Sequence, residues 1–542
     1  MKTLAILFAG ELNDYSLEPL SGGPSAFERA VSAMCRMPGV KGLCILSSRS
    51  HLDGYPSPSG AMLAERAAAA ASSAGLVPSF VEEVSWTVEG LFARMASESE
   101  SFDRVAFAFA DQPHLDAEFS ASLSELHTRY AAEYAFADGY PQGLAPEFLA
   151  RGIIPVLARL SEGEAGRVTR GVVFDVVKKD INSFDIETDI AATDLRHLRL
   201  TLACDTAQGK LLCEALDGIT GANYADFARE RAVSLRTVPN FYAVQVAGRC
   251  PFECVFCPYP GFCSSGTGRS DGVRAASRSD SMSVEDFSLL AERIAAYSGT
   301  AVVSLSLWGE PSFHPDVPAL VRAVLRHPGL SVLLETTGVG WKDGVLESVA
   351  SVVREAGPRM DGRRPIDWIG SLDATTVERY ASLRAAPAEG AAHPSALYAE
   401  AVSFVDRAAG LFPGSVWPQT LRMTGNEEEL EAFYRHWKGR LGRVIVQKHD
   451  HFCGTIADLR VADLSPLERH PCWHITRDMS ILIDGTVPLC REDLYANRSF
   501  GNALRDNLHD IWAGIRTVYE HHVNDNFEGM CGACDEYYTC NF

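Results

Sequence analysis

The sequence predicts an α/β fold with more than one domain, and three observations lead to this prediction. Short apolar runs alternate with segments of helical periodicity along most of the chain. The chain has 542 residues, which is more than a single hydrophobic core usually serves. Ten of its 14 cysteines lie in two places, residues 250–263 and residues 453–540, and the second of these marks a cysteine-rich tail.

The first 235 residues contain the pattern of a layered α/β domain. Thr3–Ala9 and Gly42–Ser47 are continuous apolar runs and predict buried strands, with the helical pattern Ser25–Arg36 between them. Arg104–Ala110 predicts a further strand. The first ten residues resemble a signal peptide, but acidic residues soon interrupt the apolar stretch, so we interpret it as a buried first strand. We therefore expect one domain over residues 1–235.

A second series of strands and helices begins near Val238. The predicted strands are Phe241–Val246, Ala301–Leu307, Leu330–Glu335 and Ile366–Leu372, and the predicted helices are Ser283–Ser298 and Val317–Arg326. Ser283 is a typical N-cap residue, because its hydroxyl can accept a hydrogen bond from a free N–H group of the first helical turn. We expect this second α/β domain over residues 236–455. Residues 456–542 have less periodicity and predict a small third domain.

The composition argues against several classes of partner. Lys and Arg number 49 against 70 Asp and Glu, which gives a formal net charge of −21. A surface this acidic disfavours nucleic acid and anionic membranes as partners. No apolar run approaches the roughly 20 residues that cross a bilayer. Because nothing directs secretion, we expect a cytoplasmic protein whose clustered cysteines bind a metal or an iron–sulfur cluster rather than form disulfides.

Three cysteines follow the predicted strand Phe241–Val246 with the spacing Cys-x3-Cys-x2-Cys. They are Cys250, Cys254 and Cys257, and an aromatic residue, Phe256, precedes the third. A cubane iron–sulfur cluster normally takes four thiolates, so a loop that supplies three leaves one iron open to another molecule. The alternative is zinc, which needs a fourth ligand and for which the spacer before the next cysteine would be unusual.

This loop resembles the signature of the radical S-adenosylmethionine (SAM) superfamily, Cys-x3-Cys-x-aromatic-Cys. The resemblance implies a partial (β/α)6 TIM-like barrel with a 4Fe–4S cluster at the carboxyl ends of its strands. It implies that the amino and carboxylate groups of SAM chelate the fourth iron, and that one electron splits SAM into methionine and a 5′-deoxyadenosyl radical. Cys250, Cys254 and Cys257 would then be both metal ligands and catalytic residues.

Three later strand ends resemble further motifs of the same superfamily. Trp308-Gly309-Glu310-Pro311 resembles its Gly-Glu-Pro motif, in which backbone groups and the carboxylate face the SAM ammonium. Glu335-Thr336-Thr337-Gly338 resembles a Thr-Asn-Gly strand end, and Ser371-Leu372-Asp373-Ala374, followed by Tyr380 and Arg384, resembles a Ser-Leu-Asp-Ala strand end. Each segment alone would also suit an ordinary turn. The resemblance implies cofactor contacts for the following residues: Phe256, Gly309, Glu310, Pro311, Thr336, Ser371 and Asp373.

The cysteines of the tail form a second pattern. Cys472 and Cys490 are separated by 17 residues, and Cys531, Cys534 and Cys540 follow. The pattern resembles a SPASM domain that lacks its last two cysteines. Its shortened form, the twitch domain, implies one auxiliary 4Fe–4S cluster on Cys472, Cys490, Cys531 and Cys534, with Cys540 spare or a substitute ligand. A structural zinc site is the alternative, because four cysteines also suit tetrahedral zinc.

The order of motifs in residues 1–235 resembles that of nucleotide-sugar cytidylyltransferases. Residues 19–29 follow the first strand, Asp111 ends another strand, residues 141–143 fall at a substrate loop, and Asp205 comes late. Relatives carry Arg and Lys after the first strand, but residues 9–25 contain neither, which favours a degenerate nucleotidyltransferase-like domain for binding or docking. If the domain is catalytic, Asp111 and Asp205 would bind Mg²⁺. The combination of domains resembles the spiro-SPASM protein family.

Taken together, these resemblances predict a radical SAM enzyme that abstracts hydrogen from a peptide or protein side chain. The expected partners are SAM, the peptide or protein substrate and a one-electron reductant such as flavodoxin or ferredoxin. Two alternatives stay open. In the first, the substrate is a sugar or nucleotide-sugar presented by the N-terminal domain. In the second, the protein carries electrons or binds a partner and does not cleave SAM.

Overall fold

The computed structural model describes residues 1–264, 280–385 and 393–539. The chain divides into two compact units. The N-terminal unit is Met1–Thr237 with Met360–Gly362, and the barrel unit is Val238–Arg359 with Arg363–Phe542. Within the described ranges, no helix combines the length and hydropathy that a membrane span requires.

A mixed β-sheet forms the centre of the N-terminal unit. The strands of this unit are β1 (Thr3–Ala9), β2 (Pro19–Leu20), β3 (Gly23–Ser25), β4 (Val40–Ser48), β5 (Ser79–Glu83), β6 (Arg104–Phe109), β7 (Tyr134–Asp138), β8 (Glu147–Ala150) and β9 (Ile186–Ile190), of which β2 and β3 form a separate two-stranded sheet. Its helices are α1 (Asp14–Leu17), α2 (Ala26–Arg36), α3 (Gly60–Ala71), α4 (Val88–Glu98), α5 (Ala117–Arg129), α6 (Ile154–Leu160), α7 (Val172–Val177), α8 (Ala207–Ala215) and α9 (Tyr224–Glu230). The sheet order is β5-β4-β1-β6-β8-β7-β9, and β8 runs antiparallel to both neighbours.

The predicted elements of this unit agree with the observed ones. The first predicted strand coincides with β1, whose residues are all buried. The predicted helix coincides with α2, where Ser25 and Glu28 form a capping box. Apolar residues on both faces of the sheet pack against helices, which gives the layered α/β arrangement that was expected.

The barrel unit contains the remaining elements. Its strands are β10 (Phe241–Val244), β11 (Glu253–Cys254), β12 (Ala301–Ser304), β13 (Leu330–Thr336), β14 (Ile366–Ser371), β15 (Arg384–Ala385), β16 (Val416–Arg422), β17 (Ile445–Lys448), β18 (Asp478–Ile481), β19 (Thr486–Pro488) and β20 (Ser499–Asn502). Its helices are α10 (Tyr259–Ser264), α11 (Val284–Ser298), α12 (Val317–Leu325), α13 (Val345–Ala356), α14 (Val377–Leu383), α15 (Pro394–Leu411), α16 (Leu430–Leu441), α17 (Trp473–Arg477), α18 (Leu508–Val523) and α19 (Met530–Ala533).

Parallel strands of the barrel unit form an open sheet in the order β17-β16-β14-β13-β12-β10-β18. From β10 to β17 the strands follow chain order and alternate with helices, which is the arrangement of a partial (β/α)6 barrel. This confirms the predicted fold class. The strand β18 comes from the cysteine-rich tail and pairs with β10, a connection that the sequence did not predict. The division into three domains, with a boundary near residue 456, stays a prediction.

Aromatic packing supports the two strands that carry several of the predicted site residues, β13 and β14. Trp368 of β14 is fully buried, and its ring lies 5.4 Å from that of Trp341 and 5.7 Å from that of Phe404, measured between centroids. Each such pair contributes about 0.5–1.5 kcal/mol beyond the burial of its surface. The last residues of these strands, Thr336 and Ser371, are therefore supported by well-packed aromatic side chains.

Candidate active site

A cavity of about 540 Å³ lies at the carboxyl ends of the barrel strands. Cavities of this size at this end of a parallel barrel are the usual place for a small-molecule site. Its lining includes most of the predicted site residues, namely Cys250, Cys254, Phe256, Cys257, Gly309, Glu310, Thr336, Ser371 and Cys490. The structure thus brings the cysteine loop, residues of all three strand-end motifs and one cysteine of the tail to a single cavity.

The cysteine loop is held by backbone hydrogen bonds. Cys254 in β11 pairs antiparallel with Arg384 in β15, and the N–H of Cys257 donates to the carbonyl oxygen of Cys254 at 3.2 Å. Burial raises the pKa of the Cys250 and Cys254 thiols to about 12, although the nearby Arg384 guanidinium opposes the shift. Buried thiols become ligands when a metal displaces their protons. The three half-buried cysteines line the cavity together and fit an iron–sulfur cluster, which binds cysteine as thiolate.

Gly309 allows the Gly309-Glu310-Pro311 segment to pack directly on the start of the cysteine loop. Gly309 has φ +78°, and a Cβ atom there would overlap the carbonyl oxygen of Ala247. The N–H of Glu310 donates to the carbonyl oxygen of Arg249 at 2.7 Å, one residue before Cys250. Because other residues rarely adopt this backbone conformation and none fits the space, the position requires glycine.

The carboxylate of Glu310 is enclosed by protein groups. Its Oε1 accepts hydrogen bonds from the Thr336 hydroxyl at 2.5 Å and from the N–H of Ser312 at 3.4 Å, and its Oε2 accepts one from the N–H of Thr337 at 2.8 Å. Burial raises the pKa of this carboxyl, and these hydrogen bonds oppose the shift. The carboxylate, predicted to face SAM, therefore joins the ends of β12 and β13. Pro311 is buried in the following turn and is not among the cavity-lining residues in the described ranges.

Arg384 lies at the centre of the site, although the sequence analysis mentioned it only as part of a motif. Its Nη1 donates to the sulfur of Cys254 at 3.7 Å, its Nη2 donates to the hydroxyl of Ser371 at 3.0 Å, and the guanidinium forms an ion pair with Asp373. Three aromatic rings surround it, with centroids 5.3–6.0 Å away: Phe252, Phe256 and Tyr380. Burial opposes the charge of Arg384, but the Asp373 carboxylate together with Cys254 and Tyr380 raises the pKa of the guanidinium. Arg384 is therefore a charged group of the cavity wall.

Asp373 differs from its predicted role. Only 1% of its surface is exposed, and in the described part of the chain it is not among the cavity-lining residues. One carboxylate oxygen pairs with Arg384, and the other accepts a hydrogen bond from the N–H of Leu421 at 2.8 Å. Asp373 thus positions Arg384, while Ser371 remains at the cavity surface.

Polar groups continue along the cavity toward the tail. Nε2 of Gln419 donates to Oε1 of Glu335 at 3.0 Å, and Arg491 donates to Asp450 at 3.1 Å. Burial raises the pKa of the Glu335 carboxyl, and the charge of Arg491 opposes the shift. Arg491 directly follows Cys490, so this polar wall connects the cysteine loop with the cysteines of the tail. The positions of these side chains depend on strand pairing, and apart from Glu335 none of them belongs to a motif named above.

The predicted cysteines of the tail lie together. Burial raises the pKa of Cys490 well above its usual value, and Glu492, Cys534, Cys472 and Cys531 are close enough to raise it further. The N–H of Glu536 donates to the sulfur of Cys534 at 3.3 Å. Cys453, to which no motif assigned a role, lies near Cys534, and Nε2 of His451, two residues before it, lies 3.3 Å from Oδ1 of Asp535. The remaining predicted ligand, Cys540, lies outside the described residues.

The most closely spaced potential metal ligands of the described residues are carboxylates and not these cysteines. Tetrahedral zinc, with Zn–S bonds of about 2.3 Å, places its sulfur ligands about 3.8 Å apart. Among the described His, Cys, Asp and Glu residues, three ligand atoms lie mutually within 4.8 Å only in the set Asp450, Asp535 and Glu536. That set is paired with cations, because Lys448 contacts Asp535 at 2.9 Å and also pairs with Glu536. Within the described residues, no three cysteine sulfurs of the tail form such a set.

In the N-terminal unit, Arg170 lies between the two predicted Mg²⁺ ligands. Its Nη1 donates to Asp111 Oδ1 at 3.0 Å, and its Nη2 donates to Asp111 Oδ2 at 2.5 Å and to Asp205 Oδ2 at 2.8 Å. The guanidinium also lies 5.1 Å from the ring centroid of Phe109. Because an internal cation already neutralises both carboxylates, these residues do not fit Mg²⁺. The prediction of magnesium is not supported.

Comparison with known proteins identifies two domains in the barrel unit. Residues 244–362 match the family model of the radical SAM superfamily. The chain belongs to the radical SAM superfamily. Residues 472–535 match the SPASM model, described as an iron–sulfur cluster-binding domain. As a radical SAM protein with a SPASM domain, it is an enzyme that binds SAM and 4Fe–4S clusters.

This radical SAM protein also resembles a bacterial protein along most of its length. It is 43% identical over 374 residues to an uncharacterized protein of Treponema pallidum (strain Nichols), and the alignment covers 68% of this chain and 98% of that protein. The shared region therefore includes nearly all of the Treponema protein.

Solved structures give weaker similarities. SuiB of Streptococcus suis, bound to the precursor peptide SuiA, aligns with 12% identity and a TM-score of 0.37 over 67% of this chain and 78% of that chain. A cytidylyltransferase of Leptospira borgpetersenii serovar Hardjo-bovis aligns with 11% identity and a TM-score of 0.34 over 44% of this chain and 97% of that chain. Both TM-scores are below 0.5, so neither similarity carries an argument about function. The resemblance to the spiro-SPASM family stays a prediction.

Proposed function

We propose that this radical SAM enzyme removes a hydrogen atom from a peptide or protein side chain bound in the 540 Å³ cavity. The observation that carries the proposal is that the cavity connects the cysteine loop with Cys490 of the tail. A substrate in this position would lie between two iron–sulfur sites. The SPASM match of the tail supports a peptide or protein substrate, because such tails are commonest in peptide-modifying enzymes.

Cys250, Cys254 and Cys257 would hold the SAM-binding cluster. When bound, the cluster and SAM supply a carbon-centred radical able to take hydrogen from an unactivated C–H bond. The chain fixes these ligands through the tight contact between Gly309 and Ala247 and through the pairing of β11 with β15. Such rigid support matters because ligand positions set the geometry of the metal site.

Arg384 would bind the carboxylate of SAM. Its guanidinium is buried, lies beside Cys254 and is oriented by Ser371 and Asp373. A guanidinium matches the planar geometry of a carboxylate and keeps its charge when buried. Phe256 would exclude water from this side of the site, since its ring is buried beside Arg384. Thr336 would hold Glu310 in place.

Cys472, Cys490, Cys531 and Cys534 would hold one auxiliary cluster with four protein ligands. A cluster with every iron ligated by protein has no open position for substrate, which favours electron transfer. The proposed role is to accept the electron that the substrate radical loses. Glu335 and Gln419 in the same cavity would bind polar groups of the substrate.

The N-terminal unit is proposed to bind or dock a partner and not to transfer nucleotides. Arg170 neutralises the acidic pair that a catalytic nucleotidyltransferase-like domain would use for metal. This also weakens the alternative in which the unit presents a nucleotide-sugar as substrate. Asp111 and Asp205 then stabilise the fold.

Deuterium transfer tests the proposed reaction. Anaerobically reconstituted protein would be reduced with dithionite in the presence of SAM and deuterated candidate peptides. We expect deuterium in 5′-deoxyadenosine with at least one peptide, measured by mass spectrometry. Absence of 5′-deoxyadenosine under all conditions would instead favour the electron-transfer alternative. A protein with Cys250, Cys254 and Cys257 all replaced by Ala is the matched control for background cleavage.

A further inference from the structure

Cys453 is a cysteine that the four-ligand pattern of the tail leaves unassigned. It lies five residues after the end of β17, in the turn Phe452–Gly454. The segment before it packs against the residue that follows Cys534, because Nε2 of His451 lies 3.3 Å from Oδ1 of Asp535 and Lys448 contacts Asp535 at 2.9 Å. The Cys453 thiol is therefore placed near Cys534, within reach of a side-chain hydrogen bond. Five cysteines converge where four are expected, namely Cys453 and the tail residues Cys472, Cys490, Cys531 and Cys534.

The turn that carries Cys453 is firmly held. Oδ1 of Asp450 accepts a hydrogen bond from the N–H of Phe452 at 2.7 Å, and Nδ1 of His451 accepts one from the N–H of Gly454 at 2.8 Å. The Phe452 ring packs on Trp308 with centroids 5.5 Å apart. Phe452 and Cys453 both adopt positive φ, 49° and 53°, a conformation that is unfavourable for non-glycine residues and persists only where the surroundings enforce it. These contacts fix the thiol of Cys453 next to Cys534.

The cysteine sulfurs at the proposed auxiliary site outnumber the irons of one 4Fe–4S cluster. Each of the four irons of a 4Fe–4S cluster takes one protein thiolate, so five thiols cannot all be ligands at once. Since the thiol of Cys453 lies near that of Cys534, both can reach the same corner of the cluster.

We propose that Cys453 belongs to the auxiliary cluster site, as a second thiol at the corner that Cys534 occupies, and that it can ligate the same iron. This inference rests on the proposed function, because it assumes that the tail cysteines hold a cluster. Replacement of Cys534 by Cys453 as the iron ligand needs no oxidant or reductant. As the Cys453 sulfur binds iron it loses its proton, and the released Cys534 thiolate takes that proton.

Iron content tests this proposal in the full-length chain. The parent protein carries Cys250→Ala, Cys254→Ala and Cys257→Ala, so that bound iron reports the auxiliary site alone. We expect about four irons per chain in the parent and in its Cys453→Ala and Cys534→Ala derivatives, because one thiol of the pair remains in each. The derivative with both changes should lose most of its iron and sulfide. Cys531→Ala is the matched control, and it should lose its iron although Cys453 is intact.

Two results would overturn the proposal. One is loss of iron in Cys534→Ala as complete as in the double variant. The other is retention of iron in the double variant, which would mean that another residue supplies the ligand. If the parent itself binds no iron, the proposed auxiliary cluster is wrong, which is a separate conclusion. Serine replacements at the same positions and circular dichroism would distinguish loss of ligation from loss of folding.

Discussion

Nη1 of Arg384 donates a hydrogen bond to the sulfur of Cys254 at 3.7 Å, so a buried cation contacts one of the proposed cluster ligands directly. The same guanidinium is ion-paired with Asp373, and both side chains are almost completely buried, with 3% and 0% exposed. Removing one partner of a buried ion pair destabilises a fold, because the charge of the other partner is then uncompensated. Arg384 therefore links the chemistry of the site to its stability.

Breaking this ion pair should destabilise the barrel unit. We expect Arg384→Gln to lower the free energy of unfolding by about 3–5 kcal/mol, because Asp373 is left as an unpaired buried carboxylate. The double variant Arg384→Gln/Asp373→Asn should recover part of the loss, since it buries no charge. Urea denaturation of both variants and of Asp373→Asn measures the coupling free energy between Arg384 and Asp373. Equal stability of the single and double variants would contradict this account.

Gly309→Ala should impair the SAM-binding cluster. The added Cβ overlaps the carbonyl oxygen of Ala247, and the backbone at Gly309 has a positive φ, so the start of the cysteine loop must move. We expect less iron per chain and little 5′-deoxyadenosine after reduction with dithionite. Gly410→Ala is the control, because a Cβ there meets no atom within 4 Å. A Gly309→Ala protein with normal iron and SAM cleavage would show that the loop tolerates this displacement.

The two cysteine sites should differ in their effects on SAM cleavage. Cys254→Ala removes a ligand of the proposed SAM-binding cluster, so 5′-deoxyadenosine formation should cease. Cys534→Ala affects only the auxiliary site, and cleavage without substrate should continue at nearly the wild-type rate. Chromatographic measurement of 5′-deoxyadenosine compares them, with Cys35→Ala as a control outside both sites. Equal loss in both variants would refute the division of labour between the sites.

Removing Arg170 should create a divalent-cation site in the N-terminal unit. Without the guanidinium, Asp111 and Asp205 lose the cation that neutralises them, and two adjacent carboxylates attract a hard divalent ion. We expect Arg170→Ala to bind one more Mn²⁺ than the wild type in titrations followed by electron paramagnetic resonance. Arg170→Ala/Asp111→Asn should lose the additional ion. Identical Mn²⁺ binding by Arg170→Ala and the wild type would contradict the stated role of Arg170.

Acid should loosen the N-terminal unit around His127. Burial, with a smaller contribution from Arg104, lowers the pKa of His127 from 6.5 to about 4, so the folded state keeps the ring neutral. The unfolded chain binds the proton more readily, and stability from this group is present above pH 6.5 and is lost as the pH falls toward 4. Hydrogen exchange of α5 should therefore accelerate between pH 7 and pH 5, after correction for intrinsic rates. In His127→Leu the acceleration should be smaller, and an unchanged profile would exclude His127 as its source.

Local patterns predicted much of the fold and part of the site. Thr3–Ala9 and Ser25–Arg36 were found because burial and capping are properties of neighbouring residues. The spacing of Cys250, Cys254 and Cys257 was informative because one loop supplies all three. The pairing of β18 with β10 was missed, since strand pairing joins segments far apart in the chain.

The contacts that were missed in the site are also long-range. Arg170 is 59 residues from Asp111 and 35 from Asp205, and no spacing rule connects them. Arg384 reaches Cys254 across 130 residues through the pairing of β11 with β15. The position of Cys453 depends on where the turn after β17 meets the tail. In each case, side-chain proximity follows from strand order and not from local sequence.

The hydrogen bonds between β10 and β18 have a mechanical consequence. The strand β10 leads into the loop of Cys250, while α17, which begins just after Cys472, leads into β18. A shift of one strand against the other would move both redox centres, so their separation is set by backbone register. Removing the tail would also uncover the edge of β10 and leave its N–H and C=O groups free to pair with other chains, which promotes aggregation. The barrel and its cysteine-rich tail therefore form one unit, and separating them would expose the edge of β10.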